Sequence, residues 1–212
     1  MNDVYPEAKP QGLRQLLLMT LAGLVVGLPL GMWVGRSLKL AQRQGIPLPW
    51  SDLAAISIAA ILLFSAIILA ATAIARRRAA SPPEANETVY LALQAGVLAL
   101  AGVMLAAPVA FATATGGNLE HAGAAMLGIV LLFAVQTALN LILWRRSDEV
   151  LRRAIAESGS ASFWLLQGVF FLWACGEKLR LLPAITSWDA VTVLMGVYLV
   201  TSTVIATRRG LS

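Results

Sequence analysis

The residue types that build most metal and redox centres are almost missing from this sequence. Its 212 residues include one cysteine, Cys175, and one histidine, His121. A single cysteine excludes an internal disulfide and any cysteine-based zinc or iron–sulfur cluster. His121 stands beside Glu120, and one imidazole with one carboxylate falls short of a tetrahedral or facial ligand set. Charge is scarce too: 13% of residues are charged, against about a quarter in ordinary soluble domains. The chain has no HExxH motif, no glycine-rich phosphate loop, no paired-carboxylate site and no nucleophile with a neighbouring base. No run alternates long enough to propose a transmembrane strand. The expectation is therefore a non-enzymatic chain with no catalytic, cofactor-binding or metal residues.

What fills the sequence is apolar: 58% of it is hydrophobic. Six runs approach the roughly 20 residues that a helix needs to cross the hydrocarbon core, at 16–34, 53–75, 89–112, 122–144, 160–176 and 190–207. None has an Asp, Glu, Lys, Arg or His in its interior. The first is too long for a signal-peptide core and lacks a small-residue cleavage site, so it is expected to remain as a span. These runs predict an all-α integral membrane protein, one membrane domain over 1–212, with six transmembrane helices arranged as three helical hairpins. The lipid bilayer is its first partner.

The net charge of +5 would suggest nucleic acid in a soluble protein. Here the basic residues sit in short connections between spans, so topology explains them and no nucleic acid is expected. Eleven fall on one side: Lys9, Arg14, Arg76, Arg77, Arg78, Arg145, Arg146, Arg152, Arg153, Arg208 and Arg209. Five fall on the other: Arg36, Lys39, Arg43, Lys178 and Arg180. The excess places both termini in the cytoplasm. Trp33, Trp50 and Trp188 then lie at outer ends, and Trp144 and Trp164 at inner ends. Between the fourth and fifth spans, residues 147–158 read as a short cytoplasmic helix. Ser147 can cap it, Asp148 and Glu149 suit its first turn, and Glu149 can pair with Arg153 at i+4.

The inbound helices echo one another. Trp50-Ser51-Asp52 opens the second span, Asn118-Leu119-Glu120 the fourth and Ser187-Trp188-Asp189 the sixth, and each closes on arginines. A triplicated hairpin would do this, and so would the general advantage of an acid at a helix N-terminus and cations at its C-terminus. Gly23, Gly27, Gly31 and Gly35 recur every four residues and clear one face of the first span for close helix packing. The third span offers a similar small-residue face in Ala92, Gly96, Ala99, Gly102 and Ala106. Polar groups inside the spans are mild. Gln136 and Asn140, one turn apart, form the best candidate polar seam, as helix glue or, alternatively, as a stretch of a permeation path. Proton-driven pumps place ionisable groups within their spans, and none stands there. Glu177 and Asp189, with Lys178 and Arg180 between them, read as a solvated loop rim.

The stretch SDEVLRRAIAESGSASFWLLQGVFFLW, then SWDAVTVLMGVYLV and TRRG, resembles a group of small bacterial multi-span membrane proteins over about residues 145–210. Their cytoplasmic linker carries Asp-Glu, two residues, Arg-Arg and then Glu, matched here by Asp148, Glu149, Arg152, Arg153 and Glu157. Ala154-Ile155-Ala156 and Ser158 depart from that pattern. The resemblance implies a bacterial inner-membrane location and this topology, and supplies no chemistry. The leading expectation is a scaffold or accessory subunit with a homo-oligomeric or membrane-protein partner. A small permease or channel is the alternative, and a lipid-processing enzyme using Asp148, Glu149 and Glu157 a third.

The charge bias predicts that single cysteines replacing Arg77 and Ser212, in a Cys175→Ser background, resist an impermeant thiol reagent applied to intact cells. Labelling of both would reverse the orientation, and labelling of one would mean an odd number of spans.

Overall fold

A computed structural model describes residues 39, 49–79, 85–115 and 122–210. Among these residues the chain is helical, without strands, in five helices: α1 (Trp50–Ala79), α2 (Ala85–Thr115), α3 (Ala122–Arg146), α4 (Glu149–Lys178) and α5 (Ser187–Arg208). All five are long and apolar enough to cross a membrane. Each contains one of the second to sixth predicted spans. The first span and its Gly23, Gly27, Gly31 and Gly35, together with Glu120 and His121, lie outside the described residues.

The broadest helix contact joins α1 to α2, followed by α2 with α3 and α4 with α5, and then a smaller contact of α1 with α5. Helices α2 and α3, and α4 and α5, are thus neighbours in space as well as in sequence. The tightest seam, however, runs between α1 and α2, across a connection that the hairpin arrangement treats as a boundary. Small side chains explain it. Ala55, Ala59, Ala66 and Ala73 are buried along α1, and Ala95, Ala101, Leu105 and Val109 along α2. Lipid tails are as apolar as these residues, so burial alone does not favour association; close van der Waals fit does. At Gly102 a Cβ would sit 2.8 Å from Leu63 Cγ and 3.0 Å from the Ala59 carbonyl oxygen, so the two helices approach over bare backbone. Of the small residues expected to share one face of the third span, Gly102 meets the second span, a Cβ at Gly96 would sit 3.7 Å from Leu139 of α3, and Ala92 is exposed.

A second difference lies in α4. Instead of a short cytoplasmic helix over 147–158 and a separate fifth span, one helix of 30 residues, about 45 Å long, covers both. Nothing between Ser158 and Ser160 breaks it. The Ser158 hydroxyl donates back to the Ala154 carbonyl at 2.7 Å, and Ala154, Ser158, Ser162 and Leu166 carry one buried stripe straight through the junction. The cap also differs from expectation. Asp148, rather than Ser147, is the N-cap, accepting from the Leu151 amide at 2.9 Å. Ser147 instead donates its hydroxyl back to the Leu143 carbonyl and finishes α3.

Gly102→Val should lower the thermal stability of the purified protein by about 1–3 kcal/mol, because bulk there must push the two backbones apart. Val103→Leu, one residue on and 41% exposed, should change it little. Equal melting temperatures for both variants would mean that the seam is not close-packed.

Candidate functional site

Polar side chains concentrate at the two ends of the helices. At the arginine-rich end, the linker motif is used almost completely, and each use is structural. Glu149 pairs with Arg153 one turn along α4, both well exposed. Arg152 turns back and donates to the backbone oxygens of Trp144 at 3.1 Å and Arg145 at 3.2 Å. These are carbonyls of the last turn of α3, which have no partner within their own helix. Glu157 accepts two bonds from Arg209, at 2.9 and 2.6 Å, and so ties α4 to the end of α5. Ser162 and Thr201 share a hydroxyl–hydroxyl bond between the same two helices. Tyr90, near the start of α2, sets its hydroxyl against Ser147. Asp148, Glu149 and Glu157 are thus occupied as cap, intrahelical partner and interhelical partner.

The opposite end holds an arrangement that sequence reasoning missed. Trp188 of α5 donates its indole N–H to the Asp52 carboxylate of α1 at 2.8 Å. The Ser51 hydroxyl of α1 faces the Asp189 carboxylate of α5. Each helix therefore offers one donor to the other's aspartate. Asp189 also closes a capping box: its carboxylate accepts from the Thr186 amide at 2.8 Å, while the Thr186 hydroxyl accepts from the Asp189 amide at 3.1 Å. Asp189 is only 8% exposed, which corrects the expectation of a solvated rim shared with Glu177. The indole of Trp188 packs on Ala55, Ala59 and Leu105, so this corner also rests on the α1–α2 seam. The signal was present in the Trp50-Ser51-Asp52 and Ser187-Trp188-Asp189 echo. Its meaning is pairing between the two triplets, which a count of helix-end charges does not reveal.

Within the spans, Gln136 is half-buried and Asn140 is exposed, and among the described residues neither has a hydrogen-bonding partner. They do not meet across a closed channel of described helices. Gln167 on α4 is exposed as well. It lies 18 residues from the start of α4, about 27 Å along the helix, whereas Gln136 lies ten residues, about 15 Å, from the end of α3. Cys175 is an exposed free thiol. Among the described residues no group of three His, Cys, Asp or Glu side chains gathers in a metal-binding arrangement. No family model matches the chain, and no match was found among curated proteins or solved structures.

Proposed function

We propose that this chain is a non-enzymatic helix-bundle protein of the bacterial inner membrane, with six spans in three hairpins and both termini cytoplasmic. It acts as a scaffold or accessory subunit, associating with a second copy or with another membrane protein. The observation that carries this reading is the uncovered surface of α3 and α4. Both present most of their apolar span to the outside of the described bundle. Asn140 on α3 and Gln167 on α4 are exposed, and Gln136 lies half-buried one turn from Asn140. Aliphatic side chains facing lipid need no explanation, but an amide facing lipid leaves two donors and an acceptor without partners. Helix association supplies those partners.

The competing readings find less support. A permeation path through Gln136 and Asn140 needs both to face one enclosed route, and Asn140 points away from the described neighbours. A lipid-processing site at the linker needs carboxylates that are free to act, and Asp148, Glu149 and Glu157 are engaged in caps and ion pairs.

Native electrophoresis in a mild detergent should show the wild-type chain in a species larger than its 22.5 kDa monomer with bound detergent. A variant carrying Asn140→Leu and Gln167→Leu should lose that species while keeping its helical content. A wild-type chain that runs solely as a monomer when extracted directly from native membranes would sink the accessory-subunit reading.

A further inference from the structure

The helices divide into two groups with unequal bonds within and between them. Helices α1, α2 and α3 follow the broad α1–α2 seam, and α4 with α5 forms a pair of its own. That pair is held at its arginine-rich end by Glu157–Arg209 and, farther along, by Ser162–Thr201. Among the described residues the groups meet in two main regions. One is the two-residue joint Ser147-Asp148, where Arg152 caps α3 from the first turn of α4 and Tyr90 abuts Ser147. The other runs from the far corner over almost three turns of α5: Trp188 reaches Asp52, Ser51 reaches Asp189, Met195 packs on the Ala55, Ala59 and Leu105 cluster, and Gly196 lies against Ile58. A pair of helices joined firmly at one end and clasped by side chains at the other is built like an arm with a catch.

The catch is not fully satisfied when closed. Among the described buried hydroxyls, Ser147, Ser158 and Ser162 have hydrogen-bonding partners, Thr88 is engaged, and Ser51 faces Asp189. Thr192 is the exception. It is 2% exposed, and its Oγ1 has no partner. It lies one turn beyond Trp188 and Asp189 on α5, so the face that forms the clasp also carries the orphan. Closing the corner further brings the Asp52 and Asp189 carboxylates within range of mutual repulsion. An unpartnered buried hydroxyl and a like-charge pair both favour separation, whereas the two cross-helix donors favour contact.

We propose that α4–α5 is a movable arm pivoting at the Ser147–Asp148 joint, with the reciprocal Trp188–Asp52 and Ser51–Asp189 contacts as its closed-state lock. In the unlocked state the outer end of α5 leaves α1, Thr192 gains access to a hydrogen-bonding partner, and the carboxylates separate. This device does not depend on the accessory-subunit reading, since an arm can move in a chain that binds no partner.

The test is a pair of distance measurements by pulsed electron paramagnetic resonance in lipid nanodiscs, on the full chain with Cys175→Ser. One pair of spin labels replaces Leu53 and Val191, exposed positions beside the catch on α1 and α5. A control pair replaces Ile67 and Val103, across the α1–α2 seam. The wild-type catch pair should show two distances. Thr192→Val removes the orphan at nearly constant shape and should raise the ratio of short to long at least threefold. Trp188→Phe and Ser51→Ala each remove one donor and should lower it at least threefold, with the control distance fixed throughout. One catch distance, unchanged in all three variants, would make the corner a rigid joint and overturn the proposal. A shift of Thr192→Val in the same direction as Trp188→Phe would overturn it too, as would a control distance that moves with the catch.

Discussion

A bilayer gives two apolar helices no hydrophobic reason to touch, and this constraint shapes everything else in the molecule. Surface taken from lipid gains nothing comparable to surface taken from water, so association must come from close fit and from hydrogen bonds. The chain uses these two means in different places. Between α1 and α2 it uses fit: alanines on both faces, and Gly102 where the Ala59 carbonyl and the Leu63 side chain come nearest. Between α4 and α5 it uses polar side chains, Glu157–Arg209 and Ser162–Thr201, and between α5 and α1 it combines the Trp188–Asp52 bond with packing of Trp188 and Met195 on the α1–α2 seam. The result is one closely packed pair to which the remaining helices are attached.

The same constraint explains how the connections are built. Carbonyls at the end of a helix need partners wherever water is excluded or scarce. Arg152 supplies them for α3, Asp148 begins α4, and the capping box of Thr186 and Asp189 begins α5. Arg152 and Asp148 belong to the charged linker motif of Asp148, Glu149, Arg152, Arg153 and Glu157. The geometry gives that motif a reason that requires no chemistry. A two-residue joint between consecutive helices leaves little backbone to satisfy its own groups, and a charged pattern at this spacing satisfies them instead.

The five described apolar helices and the Glu149–Arg153 pair were legible in the sequence because hydropathy and i+4 spacing are local properties. The packing partner of Gly102 was not, because a small-residue face states that something approaches and not what. The continuity of α4 was hidden because the shift from charged to apolar residues near Ser158 reads as a membrane boundary. Composition can change at such a boundary while the backbone hydrogen-bond ladder runs on. Trp188 and Asp189 read as an interfacial aromatic and a helix-end acid, and both descriptions hold. What they omit is that the same groups on α1 are their partners, 136 residues away for the Trp188–Asp52 bond. Contacts of that separation leave no periodic trace. Gln136 and Asn140 stand one turn apart on α3 without a partner among the described residues, and which of them faces outward depends on where α2 packs.

The account stands on α1 and α2 being the pair that holds together when the rest comes apart. Single-molecule force spectroscopy, pulling the chain out of a bilayer from its C-terminal end, measures this directly. The α4–α5 pair should leave first and at low force, α3 next, and α2 and α1 together in one later step at the highest force. Separate extraction of α2 and α1, each at a force no greater than that for α4–α5, would contradict the claim that their seam is the foundation of the bundle.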